Sequence, residues 1–318
     1  MAKIACIGEV MIELAASEPS GDGREFKALS YAGDTYNTVV TLSRLGADTA
    51  YITRLGDDHY SDAIIARLQA EQIDTQAIVH QEGTVPGLYM IHNSPDGERE
   101  FFYWRSQAPA RALFSQQQEI VMLEDALSDY DMIYLSGITL AIISEDARQQ
   151  LLAFLRRFKE QGGQVAFDSN YRPRLWQTPE QAQRAMSELL SVTDLALLTL
   201  DDEELLWGDE EADSVEAVKE RYAAYNIEEI VLKRGAQDVI ILNAEQQTRV
   251  AVPKVENIVD TTAAGDTFNA GYLATRSAGQ SAEAAAQQAC RCARVIIQHR
   301  GGVIDRELFL SELAQNNQ

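Results

Sequence analysis

Short apolar runs alternate with longer amphipathic stretches along most of the chain. Residues 3–8 (KIACIG), 131–136 (DMIYLS), 164–168 (QVAFD), 194–200 (DLALLTL) and 229–233 (EIVLK) are rich in apolar side chains, as strands covered on both faces are. Between them, 144–161, 179–192 and 214–225 carry apolar residues at helical spacing. In 144–161, Leu151, Leu152, Leu155 and Phe158 share one face, and Gly162-Gly163 stops the pattern. This alternation predicts an α/β fold: a mostly parallel sheet with helices on both sides.

Two regions break the rhythm. Residues 9–31 and 76–105 hold short alternating segments such as GLYMIHN and REFFYWR, with the turn signals SGDG and SPDG and no long helix. They predict antiparallel hairpins forming a small β-element, either a lid or an edge extension of the sheet. No internal repeat or low-complexity linker divides the chain, so one domain over 1–318 with lid hairpins at 9–31 and 76–105 is expected. The tail 307–318 ends in polar residues and is expected to fray.

Charge then narrows the partners. The 318 residues include 27 Lys+Arg and 49 Asp+Glu, a net charge of −22. A nucleic-acid backbone or an anionic membrane attracts a basic surface, so neither is expected as a partner. An anionic small molecule needs only a few local cations and stays open. Cys6, Cys290 and Cys292 form no disulfide framework and read as thiols of a reducing compartment. The start MAKIACIGEVMIEL enters a strand at once and lacks the features of a signal peptide. No apolar stretch approaches the ~18 residues of a membrane span. A cytoplasmic location is the expectation.

Missing motifs narrow the chemistry further. The first strand runs into GEVMIE rather than G-x-G-x-x-G, and there is no G-x-x-x-x-G-K-[ST], H-E-x-x-H or G-x-S-x-G. His59, His80, His92 and His299 lack metal-ligand spacing, and Cys290-Arg291-Cys292 sits in an Ala-rich helical stretch. A dehydrogenase fits the strand alternation but lacks its fingerprint.

The most informative segment is DTTAAGDTFNAG, Asp260 to Gly271. Small residues let a ligand approach the backbone, and a helix N-terminus offers amides and a favourable dipole to an anion. A capped helix with Asp266 in its first turn would look similar. An acid inside an anion cradle repels phosphate unless it serves a purpose, and taking a proton from an attacking hydroxyl is one.

This segment resembles the C-terminal signature of the ribokinase (PfkB) family of sugar kinases, D-T-x-G-A-G-D. The family's N-terminal signature is matched by Ala32-Gly33-Asp34-Thr35-Tyr36-Asn37, Leu42-Ser43-Arg44-Leu45-Gly46 and Gly56-Asp57-Asp58. The resemblance implies a ribokinase-like three-layer αβα fold with a small β-sheet lid. It also implies ATP and Mg²⁺, Asp266 as general base, and an anion hole from the amides of Ala263, Ala264 and Gly265. Ala263 stands where the family usually has Gly, and its methyl is tolerated if φ stays negative.

Leu232-Lys233-Arg234-Gly235-Ala236 resembles the family's nucleotide-binding turn, which makes Lys233 and Gly235 ATP-binding candidates beside an ordinary-turn reading. TLDDEE, Thr199 to Glu204, resembles the element near magnesium, with Asp201 and Glu204 acting on Mg²⁺ through water. An acidic helix start capped by Asp201 is the plain alternative.

The acceptor is read from Phe101-Phe102-Tyr103-Trp104-Arg105, where Tyr103 and Arg105 share a strand face. An Arg fork matches a carboxylate, which a neutral sugar lacks. Arg172, in Asp168-Ser-Asn170-Tyr-Arg172, follows a core strand at the end where α/β sheets bind ligands. These elements are most similar to family members acting on 2-keto-3-deoxygluconate. By that resemblance Gly33, Asp34 and Asn37 hold sugar hydroxyls, Tyr89, Tyr103, Arg105 and Arg172 hold the keto-acid end, and Asn170 lies nearer the nucleotide phosphates. Fructokinase, ribokinase and a catalytically silent sugar-binding homologue are the alternatives. A bare β edge on the lid implies a homo-oligomer paired through it.

Overall fold

The five apolar runs become five adjacent parallel strands of one sheet. In the computed structural model, which describes residues 2–16, 26–93, 99–208, 214–244 and 246–315, the first strands are β1 (Lys3–Ile7), β2 (Met11–Ala16), β3 (Lys27–Ala32) and β4 (Asp48–Ile52). There follow β5 (Arg54–Leu55), β6 (Val79–His80), β7 (Leu88–Asn93), β8 (Arg99–Trp104) and β9 (Met132–Ser136). The last are β10 (Gln164–Asp168), β11 (Leu195–Thr199), β12 (Glu229–Lys233), β13 (Val239–Asn243) and β14 (Gln247–Val250). The main sheet runs β14-β13-β12-β11-β10-β9-β1-β4, parallel from β12 to β4 and antiparallel through β13 and β14.

Alternate residues of each central strand feed opposite cores. Ile7, Leu135, Phe167, Leu198 and Leu232 pack on one side. Cys6, Tyr134, Ala166, Leu197 and Val231 pack on the other. The period of two explains why the runs read as continuously apolar: both faces are covered by helices. The helix Glu145–Glu160 shows how local sequence sets its element. Ser144 caps it by accepting from the Ala147 amide at 3.2 Å, and Leu151, Leu152, Leu155 and Phe158 are buried.

A second, four-stranded sheet has the order β3-β2-β7-β8. Two antiparallel hairpins build it, joined by parallel pairing of β2 with β7. The expected interval 76–105 is too wide, because β6 pairs with β5 elsewhere and the hairpin begins at Leu88. The SGDG and SPDG turns lie outside the described residues. The fraying expected from 307 onward is also corrected. A helix spans Arg306–Gln315, with Phe309 and Leu313 buried beside Val295, Ile296 and Ile304. Among the described residues, no helix is long and apolar enough to cross a membrane.

Candidate active site

The carboxyl ends of the parallel strands converge on a group of acids. Asp168 ends β10, Ser136 ends β9 and Lys233 ends β12, the edge at which such sheets hold ligands. Two helices point their N-termini at the same edge, Asp34–Arg44 and Ala264–Ser277. Asn37 of the first donates through Nδ2 to Asp266 Oδ2 of the second at 2.8 Å, across 229 residues of sequence. Thr38 Oγ1 donates to the Asp34 carbonyl at 2.9 Å and lies 3.3 Å from the Asp266 carbonyl, seating one helix start on the other. The two signatures therefore form one site.

Asp34 accepts from the Ser136 hydroxyl, from Asn170 Nδ2 at 2.9 Å and from the Thr35 amide at 2.8 Å. Burial raises its pKa above the ordinary carboxylate value, and Asp168 adds to the rise while Arg105 opposes it. Asp266 is pushed up to about 8 by burial and by the charges of Asp34 and Asp168, against the Asn37 hydrogen bond and Lys233. A carboxyl titrating near neutral pH matches the demand on a general base that must accept a hydroxyl proton. Asn170, expected near the nucleotide phosphates, donates to Asp34. Its φ of 31° bends the chain after β10 so that the side chain turns back to that acid.

The helix carrying Asp266 starts from Ala263, at φ 59° and ψ 14°. The condition of a negative φ is not met: the residue sits in the left-handed region, where an Ala pays about 1–2 kcal/mol relative to a right-handed conformation. The Ala264 amide donates to the Thr261 carbonyl at 3.2 Å. Gly265 and Asp266 therefore present the first-turn amides that have no intrahelical acceptor. Asp260 shapes the turn by accepting from the Thr262 amide at 2.8 Å and the Gly301 amide at 2.9 Å. Opposite, Gly33 leaves room for close approach, since a Cβ there would lie 2.2 Å from the Glu9 carbonyl oxygen.

The small sheet supplies the other flank. Tyr89 is buried and donates its hydroxyl to Glu13, which also accepts from Ser30 at 2.7 Å. Tyr103 is exposed, 5.8 Å from the Tyr89 ring, with the Arg105 guanidinium 5.9 Å from its own ring. Burial raises the Tyr103 pKa, and the charges of Arg105, Arg172 and Arg174 oppose it. Three arginines thus flank this tyrosine. Arg105 Nη2 pairs with the buried Glu9, while Glu9 Oε1 and Arg105 Nε, both buried atoms, have no partner among the described residues. Arg172 pairs with Asp202 at 3.1 Å and donates to the Tyr171 carbonyl at 2.8 Å.

Other candidates spread more widely. Lys233 turns inward to Asn269 and Asp168, and Gly235 occupies the exposed β12–β13 turn at φ 58°, a conformation suited to glycine. In the acidic helix Leu200–Trp207 the N-cap is Thr199 rather than Asp201, and Asp201 is exposed in the first turn. Glu204 is half-buried. The fully buried acid is Glu203, which accepts from the Tyr222 hydroxyl at 3.0 Å and is pushed up to about 7 by burial. Among the described residues no three potential metal ligands gather. Mg²⁺ suits such a site as an ion that keeps waters and phosphate oxygens, with protein acids reaching it through water.

Sequence reading passed over Glu9, Glu13, Ser136 and Asn269. Glu9 lies two residues beyond β1, and Asn269 follows Asp266 by three positions on one helix, so strand-end and i,i+3 placement were the available signals.

This fold and site define a phosphotransferase of the sugar-kinase class. A family profile described as pfkB family carbohydrate kinase matches residues 1–307, and the chain belongs to that family. It is 43% identical over 313 residues to 2-dehydro-3-deoxygluconokinase of Escherichia coli, covering 96% of this chain and 98% of that protein. It is 28% identical to a fructokinase of Klebsiella pneumoniae, covering 86% of this chain and 83% of that one. The crystal structure of 2-dehydro-3-deoxygluconokinase from Thermotoga maritima superposes with a TM-score of 0.84 at 21% identity, covering 99% of this chain and 100% of that one.

Proposed function

We propose that this protein transfers the γ-phosphoryl of ATP to the primary hydroxyl of 2-keto-3-deoxygluconate (2-dehydro-3-deoxygluconate), giving the 6-phosphate. The observation that carries the reading is the convergence of Asp266, at a helix N-terminus, with Asn37 and Asp34 on one side and the arginine-flanked Tyr103 on the other. The 43% identity to the E. coli kinase of this sugar acid supports the same acceptor over fructose. Asp266 takes the hydroxyl proton, and the Gly265 amide, free of the turn, faces the transferring group beside that of Ala263, while the Ala264 amide closes the turn onto Thr261. Gly33, Asp34 and Asn37 hold hydroxyls of the sugar. Tyr89, Tyr103, Arg105 and Arg172 receive the keto-acid end.

The nucleotide enters as MgATP. The ion brings charge neutralisation to the phosphates, and Asp201 and Glu204 are the acids placed to meet it through water. Gly235 leaves the nucleotide an open turn. The small sheet serves as the lid, whose closure keeps water from the phosphoryl group. Its outer face exposes Phe102 and Trp104, and pairing two such faces gives a homo-oligomer. A cytoplasmic location accords with buried thiols at Cys6, Cys290 and Cys292.

The test is ADP release with MgATP, comparing 2-keto-3-deoxygluconate, gluconate, fructose and ribose. Turnover confined to the keto-acid is the expected result. A preference for fructose or ribose would keep the kinase and discard the arginine flank as a carboxylate reader.

A further inference from the structure

Beneath the helix that carries Asp266 lies a buried polar cluster drawn from three strands. Lys233 Nζ donates to Asn269 Oδ1 at 2.9 Å and lies 3.4 Å from Asp168 Oδ2. Asn269 Nδ2 donates to the same Asp168 oxygen at 2.7 Å and lies 3.0 Å from the Tyr134 hydroxyl. Both Lys233 and Asp168 are under 9% exposed, and Asn269 is fully buried. The ammonium is 3.8 Å from the point where a side chain on Gly265 would begin. It therefore lies beside Gly265, in the first turn whose amides the proposed function turns toward the phosphoryl group.

We propose that Lys233 is a positioning residue for phosphoryl transfer. Clamped between Asp168 and Asn269, it fixes the floor under Asp266 and sets a positive charge against the carboxylates of Asp34, Asp168 and Asp266. Two features separate this role from that of a nucleotide ligand. Two buried acceptors, Asp168 and Asn269, already engage two of the three N–H donors of Lys233. Asn269 also sits one turn beyond Asp266, so the clamp acts on the helix that bears the base. The groups facing Asp266 are Asp34 and Asn37 from one helix, Asp168 and Lys233 from the strand ends, and the more distant Tyr89 and Tyr134. Among these Lys233 is the cation, so removing it leaves Asp266 opposed only by the Asn37 hydrogen bond, while Arg105 still acts on Asp34.

The inference rests on the kinase reading with Asp266 as base, and its test separates the two. Lys233→Met should move the acidic limb of the kcat/KM profile up by about one pH unit and lower turnover at pH 7 at least ~10-fold. KM for ATP should stay within about threefold. Asp168→Asn, nearly isosteric and lacking the opposing negative charge, should move the limb down, and it carries the test if Lys233→Met does not fold. Denaturant unfolding without nucleotide gives a second readout, because the pH at which stability stops falling should shift in the same two directions. Limbs that stay put in both variants, or a large rise in KM for ATP with an unmoved limb, overturn the role of Lys233. Retained turnover in Asp266→Asn would instead remove the base itself.

Discussion

Replacing Asp266 by Asn should abolish activity while making the protein more stable, and the stability gain should depend on pH. The Asn37 bond survives in outline, because an amide oxygen at position 266 can still accept from Nδ2 at a site now spanned at 2.8 Å. What disappears is the charge. Folded, this carboxyl titrates at about 8, against an ordinary value of 3.8 for an unfolded chain. The folded state therefore binds the extra proton between those values, and wild-type stability falls as pH rises from about 4 to about 8. Above that range both states are ionised and the slope vanishes. At 1.36 kcal/mol per pH unit the full span is about 6 kcal/mol. Partial exposure of Asp266 to water screens this to about 2–3 kcal/mol. Urea unfolding of both proteins at pH 5, 6, 7 and 8 measures it: the advantage of Asp266→Asn should widen with pH and level off above 8. Turnover should meanwhile fall by ~10²–10⁴. An advantage independent of pH would refute the buried-charge argument, and near-normal turnover would remove Asp266 as the base.

Three further outcomes follow from local geometry. Ala263→Gly relieves a left-handed Ala at φ 59°; the gain exceeds the added unfolded-state entropy by about 0.5–1 kcal/mol, so the thermal midpoint should rise by about 2 °C, and a fall would show that the turn tolerates the methyl without strain. Gly33→Ala drives a Cβ to 2.2 Å from the Glu9 carbonyl oxygen, and sugar KM should rise by at least ~10-fold as the β3–helix junction shifts; unchanged KM would show the junction to be compliant. Replacing Phe102 and Trp104 by Ser should lower the mass measured by light scattering to that of a monomer, and an unchanged mass would place the interface elsewhere.

Much of the fold was legible because both faces of the central strands are buried, which turns 3–8, 131–136, 164–168, 194–200 and 229–233 into apolar runs. Strand β4 was not, since DTAYI begins polar and is too short to show a period. The β13–β14 hairpin also escaped, lying beyond the rhythm of strand and helix. The terminal helix was hidden because the polar residues that end the chain masked Phe309 and Leu313, an i,i+4 pair on its buried face. At the site, the signature residues Asp34, Asn37 and Asp266 were found by their neighbours in sequence. The partners that set their protonation, Asp168, Lys233 and Ser136, come from three strand ends, and only the sheet order brings them together. Ala263 shows the opposite limit: residue identity suggested a negative φ, while the turn closed by Asp260 imposes a positive one.

The arginines around the site gather on one flank, beside Glu9 and Asp202, and this asymmetry gives a substrate a direction. Arg105, Arg172 and Arg174 act on the Tyr103 flank, whereas Asp34, Asp168 and Asp266 gather at the helix starts. A sugar acid bound with its carboxylate toward the arginines places its far end, the primary hydroxyl, toward the base. Reversing it sets carboxylate against carboxylate. A neutral sugar has no such preference, so on the proposed reading the arginine flank orients as well as binds. The Glu9 carboxylate takes Nη2 of Arg105, and a guanidinium carries further N–H donors with which a second carboxylate can share the fork. Arg105→Lys keeps the charge that balances buried Glu9 but loses the planar donors. It should raise KM for the keto-acid by ~10–100-fold, the worth of a charged hydrogen bond. The amide of the same sugar acid, which lacks the charge, should start from a high KM in the wild type and rise little further in Arg105→Lys. The four KM values form a cycle whose coupling isolates the contact between fork and carboxylate. An equal penalty for acid and amide would leave Arg105 as a structural partner of Glu9 and transfer the orienting role to Arg172.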